Sequence, residues 1–243
     1  MQYFMDTTET ISQGVGFSLF DPLHLAWLGI FLVVTVACVF AYRKFSLNRR
    51  RIWKITIAVL LALDEIFKVV MLVVGDRYLP GYLPLHLCSI NIFMIIYHAI
   101  RPSKLAGGYL YTVGIPGALA ALLFPSWTSL PLTNFMHLHS FTVHILLALY
   151  PITLAAAGEL KPEIRKIPQY LLLLIAMAIP IYVINLVLDT NFMFLMSADP
   201  GNPLYLFEQL WGNHLYGFPV LITAVLLVMY VPLWIFRKIN NKK

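Results

Sequence analysis

The sequence predicts an all-α, polytopic membrane protein in which one domain, residues 1–243, forms a bundle of seven transmembrane helices. The composition is the first reason: 60% of the residues are apolar and only 12% are charged. A soluble domain has about 25% charged residues, so this chain lacks the charged surface that a soluble fold needs. A bilayer removes that need, because lipid accepts apolar side chains on the outside of the bundle. The second reason is a series of seven long apolar stretches separated by short polar segments.

A helix needs about 20 residues, most of them apolar, to cross the hydrocarbon. We place helices near residues 23–42, 53–75, 83–100, 106–124, 137–157, 168–188 and 216–236. The fourth stretch contains residues that disturb or closely pack helices, namely Gly107, Gly108, Gly114, Pro116 and Gly117. We therefore expect the fourth helix to be kinked or closely packed against its neighbours.

The basic residues indicate the orientation. Nearly all of the 17 lysines and arginines fall between stretches one and two, three and four, or five and six, or follow stretch seven, where Lys242 and Lys243 end the chain. Seven crossings place these clusters on one side, and positive charge stays on the cytoplasmic side. The N-terminus is thus predicted outside and the C-terminus inside. The net charge of +6 reflects topology, and we predict no nucleic-acid partner.

Ionisable side chains inside a membrane helix are costly and need a partner. Asp64 and Lys68 lie four residues apart in the second stretch, on one face of the helix, and can form a buried ion pair. Glu65 precedes Lys68 by three residues. The predicted role of the Asp64–Lys68 pair is to hold the bundle together, and a proton or ion pathway is the alternative.

The third stretch places a thiol near the outer surface. Cys88 lies about five residues inside the outer end of that stretch, which is roughly 7 Å deep at the rise of an α-helix. Asn91 shares its face, whereas His86 faces elsewhere. The second cysteine, Cys38, lies near the inner end of the first stretch, too far away for a disulfide.

The fifth stretch carries three histidines near its outer end. His137 and His144 lie seven residues apart on nearly the same face, and His139 points away from that face. His144 is predicted at a depth similar to that of Cys88. Polar residues also mark the outer ends of stretches six and seven, namely Asn185, Asp189, Asn191 and His214. The outer segment between those stretches is expected to form a lid or a re-entrant segment.

Several short motifs resemble those of a known family. LPLHLC at residues 83–88, HSFTVH at 139–144, DTNFMFL at 189–195 and NPL at 202–204 resemble the YwaF-type family of bacterial integral membrane proteins. That family is similar to eukaryotic transmembrane protein 164. The resemblance covers nearly the whole set of apolar stretches, with the motifs in the right order. It implies a multi-pass protein of the bacterial cytoplasmic membrane.

The resemblance also implies an activity, an intramembrane acyltransferase that moves fatty acyl groups between lipids with a cysteine nucleophile and a histidine. The cysteine of that pattern matches Cys88. The histidine matches His144, because Pro151 and Ile152 follow it at the spacing of the pattern. Two further positions match Asn191 and the neighbourhood of His214.

We therefore favour a lipid acyltransferase or lipid hydrolase with membrane lipids as substrates and no cofactor. In this interpretation His144 takes the proton of Cys88. The candidate donors to the oxyanion are Asn91, Asn191 and the indole of Trp211. The residues predicted to support the site are Asn91, Asn185, Asp189, Asn191, His137 and His214.

Two alternatives remain. The extra histidines suggest a zinc-dependent membrane hydrolase, although the HxxxH spacing is absent. Its candidate ligands are His137, His144, His214 and Asp189, with His86 as a further candidate. The other alternative is a non-enzymatic transporter or receptor with a polar outer vestibule, which is consistent with Asp64 and Lys68 inside the membrane.

Overall fold

The structure is a computed structural model that describes residues 3–198 and 201–240. The basic residues Lys242 and Lys243 lie outside the described part. Within that part the chain is helical and contains no β-strand, so the predicted all-α class is confirmed.

The helices are named in chain order. They are α1 (Pro22–Arg43), α2 (Leu47–Val74), α3 (Leu87–Ile100), α4 (Lys104–Tyr109), α5 (Ile115–Leu123), α6 (Phe135–Ala156), α7 (Ile167–Leu188), α8 (Pro203–Trp211) and α9 (Gly217–Asn240). A π-helical turn, Leu110–Gly114, joins α4 to α5. Short 3-10 turns precede α3, α7, α8 and α9.

Six segments of the described chain are helical, long and apolar enough to cross a membrane. They are Pro22–Arg43, Pro80–Ile100, Lys104–Leu123, Phe135–Ala156, Ile164–Leu188 and His214–Ile235. The remaining long helix, α2, has 28 residues, but Asp64, Glu65 and Lys68 lie within it. Because of these charges α2 is not among the apolar segments, which accounts for the difference between the six segments found and the seven crossings predicted.

Capping residues determine where the first two helices begin. Asp21 accepts a hydrogen bond from the N–H of His24 at 2.8 Å, and Pro22 occupies the first position of α1. Ser46 caps α2 in the same way. For this reason α2 begins at Leu47, before the predicted start at residue 53.

The fourth stretch is irregular and closely packed. The π-helical turn at Leu110–Gly114 interrupts the regular hydrogen-bond ladder between α4 and α5. Gly108 packs directly against Tyr170 of α7, where a Cβ atom would lie 2.1 Å from the tyrosine ring. The predicted close packing of this stretch is confirmed.

α6 is the central helix of the bundle. It packs against α1, α2, α3 and α5, and its side chains are buried on nearly every face. By contrast, α1, α7 and α9 expose large apolar side chains such as Val33, Val187 and Val228. In a membrane those faces contact lipid, so polar side chains on α6 lie inside the protein.

The N-terminal segment packs on the loops at one end of the bundle. The guanidinium of Arg77 lies 3.8 Å from the carboxylate of Asp6, and the hydroxyl of Tyr82 donates to Glu9 at 2.7 Å. The amide of Asn134, before α6, donates to the carbonyl of Asp6 at 2.8 Å. The segments before α1, after α2 and before α6 therefore share one end.

Glu159 connects helices at the opposite end. Its carboxylate lies 3.0 Å from Arg50 and 3.2 Å from Lys54, both on α2, and it accepts a hydrogen bond from the hydroxyl of Tyr42 at 2.8 Å. Burial favours the neutral acid, but the hydrogen bond from Tyr42 and the charge of Lys54 hold the pKa of Glu159 below its ordinary value of 4.5. A carboxylate thus ties α1 and α2 to the segment after α6.

Candidate functional site

The thiol of Cys88 lies at the beginning of α3. Leu87 is the first residue of that helix and Cys88 is the second, so the predicted position, about five residues inside the helix, is wrong. The reason is the extended backbone of His86, with φ −67° and ψ 156°, which delays the start of α3. The first N–H groups of a helix have no carbonyl partner within it, and the helix dipole favours negative charge at this end.

His144 has a defined tautomer. Its Nδ1 lies 2.6 Å from the carbonyl oxygen of Ser140, and because a carbonyl can only accept, Nδ1 carries the proton. Nε2 then holds the lone pair that a general base needs. The imidazole stacks on the indole of Trp127, with ring centroids 5.2 Å apart and planes 13° from parallel, which fixes its orientation.

Cys88 and His144 lie on helices that pack together. α3 contacts α6, and Cys88 packs on the apolar core that includes Val143 and Leu147, the neighbours of His144 along α6. Among the described residues no hydrogen bond joins the thiol to the imidazole. The structure brings the two helices together without a direct bond between these two side chains.

The charged residues of α2 form a different ion pair from the predicted one. Lys68 pairs with Glu65, while Oδ1 of Asp64 lies 3.3 Å from Nδ1 of His139. The predicted Asp64–Lys68 pair is therefore corrected to Glu65–Lys68. Both spacings permit a pair on a helix, and α6 decides between them because its His139 faces Asp64. Lys68 and Glu65 are also electrostatic neighbours of Cys88.

His139 lies in the same polar interior as the charged residues of α2, a position that its spacing along α6 did not predict. It lies off the face of His144, as predicted, but it faces α2, where its Nε2 is 4.0 Å from Oε2 of Glu65. His139, His86 and Asp64 are the electrostatic neighbours of His144. Helical spacing shows which residues share a face, but not which helix that face meets.

His137 has a structural role. Its Nδ1 donates to the carbonyl of Leu130 at 3.0 Å, and its Nε2 accepts a hydrogen bond from the indole of Trp27 at 2.9 Å. The side chain is fully buried. With both ring nitrogens engaged, His137 has no free position for a substrate proton or a metal.

Asn185 and Asn191 shape the segment after α7. Asn185 is buried and binds the backbone of Phe192 and the hydroxyl of Thr190. The amide of Asn191 donates to the carbonyl and hydroxyl of Ser197 at 3.0 and 2.9 Å. The side chains of both predicted site residues therefore form hydrogen bonds within residues 189–198, mostly to the backbone of this segment.

The segment 189–198 rests on the start of α3. Nδ1 of His86 accepts a hydrogen bond from the N–H of Met193 at 3.4 Å, and its ring meets that of the buried Phe192 at 5.1 Å. Nε2 of His214 donates to the carbonyl of Phe194 at 3.1 Å. Residues 189–198 thus pack on the end of α3 at which Cys88 lies, and the predicted lid or re-entrant segment stays a prediction.

Backbone strain is concentrated in this segment. Asp189, Met193 and Phe194 have φ values of 51°, 60° and 55°, which residues other than glycine rarely adopt. Asp189 is exposed at the end of α7. Strain of this kind persists only where surrounding contacts hold it, and the bonds of His86 and His214 supply such contacts.

Asn91 lies one helical turn beyond Cys88 and is almost fully buried, with 2% of its surface exposed. Within the described residues its Oδ1 has no hydrogen-bond partner. A buried polar atom without a partner is unfavourable unless a water or ligand binds it. Of the predicted supporting residues, Asn91 is the one with an open polar position next to the thiol.

The candidate zinc ligands do not come together. His137 is engaged on both nitrogens, His214 binds the carbonyl of Phe194, and Asp189 is exposed. In the described part of the chain no three His, Cys, Asp or Glu side chains are arranged to hold a metal ion.

Trp127 is a site residue that sequence reasoning missed. It lies in the loop between α5 and α6, stacks on His144 and has a buried indole N–H with no partner among the described residues. Nothing in the local sequence indicates this position, because the loop reaches α6 only in the folded chain. The candidate donor Trp211, in contrast, is 53% exposed.

Comparison with known families places the chain in context. The model of the TMEM164 family matches residues 19–230, which includes nearly all the helices described above. No curated protein and no solved structure matches the chain.

Proposed function

We propose that this multi-pass membrane protein, which belongs to the TMEM164 family, is an intramembrane lipid acyltransferase or lipid hydrolase with Cys88 as nucleophile and His144 as base. The observation that carries the proposal is the tautomer of His144. Its Nδ1 donates to Ser140 at 2.6 Å, which leaves Nε2 as a base on the helix that packs against α3. The resemblance described above selects the same two residues.

The proposed reaction has two stages. Nε2 of His144 takes the thiol proton of Cys88, and the sulfur attacks the carbonyl carbon of a fatty acyl ester, forming a C–S bond. The C–O bond to the lipid then breaks, and the departing alkoxide takes the proton from His144. Water in a hydrolase, or the hydroxyl of a second lipid in an acyltransferase, attacks the thioester by the reverse sequence and restores the thiol.

Two features favour negative charge on the sulfur. Cys88 is the second residue of α3, where the helix dipole stabilises an anion. The ammonium group of Lys68 is an electrostatic neighbour that also favours the anion, although the carboxylate of Glu65 opposes it. The apolar core around the thiol opposes ionisation, so a base is required. His144 supplies that base in the proposed reaction, and loose geometry before substrate binds is common for such pairs.

The tetrahedral intermediate requires donors for its oxyanion. The N–H groups of Leu87 and Cys88 lie in the first turn of α3, ahead of its first helical hydrogen bond, from Ile90 to His86 at 3.1 Å. The buried indole N–H of Trp127 is a third donor. We assign the oxyanion to these groups, since Asn191 is occupied by its own loop.

We also propose seven crossings, with the N-terminus outside and the C-terminus inside. Contacts at the two ends of the bundle support this topology. Asp6 meets Arg77 after α2, whereas Arg43, before α2, donates to the carbonyl of Ala156 at 2.9 Å at the opposite end. α2 therefore runs between the two ends. The basic residues of the loops then face the cytoplasm, which agrees with the bacterial cytoplasmic membrane as the proposed location.

Labelling with an acyl donor tests the proposal. The purified protein is incubated in liposomes with a phospholipid that carries an alkyne-tagged fatty acyl chain, and the acylated residue is identified by mass spectrometry. We expect a thioester on Cys88. When His144 is replaced by a weaker base, this thioester should accumulate only if the second stage slows more than the first.

Cys38 is the matched control for this experiment, because it is the other free thiol of the chain and lies within α1. Cys38→Ala should leave the labelling of Cys88 and the turnover of lipid unchanged. Lipid turnover that persists in Cys88→Ala would rule out the proposed nucleophile, as would a label found on Cys38 alone.

A non-enzymatic transporter or receptor is the second candidate function. The observation that favours it is the set of buried charges on α2, since ionisable residues inside a membrane bundle often mark transport or proton pathways. Liposomes that contain the protein and retain a lipid substrate unchanged, while they show solute flux, would support this candidate instead.

A further inference from the structure

Four ionisable side chains meet in the interior between α2 and α6. Asp64, Glu65 and Lys68 come from α2 and His139 from α6, and their side chains are 16%, 14%, 8% and 6% exposed, respectively. Lys68 pairs with Glu65. Asp64 lies 3.3 Å and Glu65 4.0 Å from the two ring nitrogens of His139.

The charges of this cluster do not balance without an additional proton. When His139 is neutral, two carboxylates face a single ammonium group, which leaves one negative charge uncompensated. Such a charge is strongly unfavourable in the low-dielectric interior of a membrane bundle. One proton removes the imbalance, either on His139, which then pairs with Asp64 as an imidazolium, or on Asp64, which then donates to the imidazole.

The hydrogen-bond positions of Asp64 and His139 are open. Oδ2 of Asp64 and Nδ1 of His139 are buried and have no hydrogen-bond partner within the described residues. Buried polar atoms are nearly always paired, and Nδ1 of His139 faces Oδ1 of Asp64 at 3.3 Å without a hydrogen bond. A proton between these two atoms would pair them. We propose that Asp64 and His139 bind one shared proton inside the bundle.

Ionisable groups face His139 from the helices packed around it. α2 contributes Asp64, Glu65 and Lys68, and α6 itself contributes His144. His86, before α3, is an electrostatic neighbour of His144. In the described residues no ion pair or hydrogen bond joins His139 to α1 or α5. The excess negative charge next to His139 therefore comes from α2 alone.

The proton site lies beside the proposed base. His139 and Asp64 are electrostatic neighbours of His144, so a positive charge shared by that pair opposes a second positive charge on His144. Release of the shared proton would thus favour proton transfer from Cys88 to His144. The proton site itself does not depend on the proposed reaction, and its test requires no turnover.

Spectroscopy of the purified full-length protein tests the inference. Ring-nitrogen NMR of isotope-labelled histidine reports the charge of His139, identified through the signal lost in His139→Gln, and infrared spectroscopy reports a protonated carboxyl group. In the wild type at about pH 8, where an ordinary histidine is neutral, we expect one of two signals, an imidazolium at His139 or a protonated carboxyl that disappears in Asp64→Asn.

Charge variants separate a proton site from a merely structural contact. Asp64→Asn and Glu65→Gln each leave the cluster neutral without the extra proton, so His139 should stay neutral and the carboxyl signal should vanish. Lys68→Met increases the uncompensated charge and should retain the proton. The matched control is Glu163→Gln, which removes an exposed pair with Lys166 at the same spacing and should change neither signal.

Two results would overturn the inference. One is a wild-type protein with neither an imidazolium at His139 nor a protonated carboxyl at about pH 8, a result that does not depend on any variant folding. The other is a folded Asp64→Asn variant with the proton signal of the wild type. Neither result bears on Cys88, whose acylation is measured separately.

Discussion

The side chain of Asn185 holds both backbone polar groups of Phe192. Its Oδ1 accepts a hydrogen bond from the N–H of Phe192 at 2.8 Å, and its Nδ2 donates to the carbonyl of Phe192 at 3.0 Å. Asn185 is 1% exposed and Phe192 fully buried. A single amide at the end of α7 thereby positions the segment that packs on the start of α3.

Asn185→Ala should loosen this segment. The change leaves the buried N–H and C=O of Phe192 without partners, which costs about 1–3 kcal/mol per group. We expect a lower thermal midpoint and faster hydrogen exchange at Phe192 and Met193. Ser103→Ala is the control, because Ser103 caps α4 through the N–H of Ala106 at 3.0 Å and lies outside this segment. Equal exchange in both variants would show that Asn185 does not hold the segment.

Gly108→Ala should destabilise the bundle. The added methyl group would lie 2.1 Å from the ring of Tyr170, which is buried, so α4 and α7 must separate. A loss of about 1–3 kcal/mol is expected for overpacking. Gly29→Ala, on the exposed face of α1 with no atom near its Cβ position, should instead be neutral or stabilising. Thermal unfolding in detergent compares the two, and similar midpoints would contradict the close approach.

The variants Cys88→Ala and His144→Ala should each abolish lipid turnover. Because the two residues act as one unit, the double variant should be no worse than either single variant. His139→Ala should lose less turnover, since it does not hold the lone pair assigned to the base. Activity losses that multiply in the double variant would mean that the two residues act independently.

Glu159 should make stability depend on pH in the acid range. Its pKa in the folded protein lies below the ordinary value of 4.5, so its stabilising effect is complete above that value and is lost as the pH falls through the folded pKa. Glu159→Gln should lower the thermal midpoint at neutral pH and flatten the acid dependence. Glu163→Gln, which removes an exposed ion pair, should leave the dependence of the thermal midpoint on pH as it is in the wild type. A profile for Glu159→Gln parallel to that of the wild type would count against this assignment.

A topology reporter checks the number of crossings. A reporter active only in the cytoplasm, fused after the last residue, should give signal because seven crossings place the C-terminus inside. The same reporter inserted in the segment between α2 and α3, near Arg77, should be silent. Signal from the second fusion together with silence from the first would require the opposite orientation.

Hydropathy and composition, properties of the local sequence, predicted the all-α class and the positions of most membrane helices. The glycines and the proline of the fourth stretch also predicted its close packing, because they act through their own backbone. The observed helix boundaries differ from the predicted ones where a capping residue sets the start of the helix. Ser46 extends α2, and the extended backbone of His86 shortens α3, so Cys88 moves to the first turn of its helix.

The tertiary structure decided which polar side chains meet. Spacing along α2 allowed Lys68 to pair with Asp64 or Glu65, and only the position of His139 on α6 resolved the choice. Likewise, Trp127 reaches His144 through a loop that no local pattern identifies. The physical reason is that sequence fixes the angle between side chains on one helix, whereas packing fixes how each helix is rotated toward its neighbours.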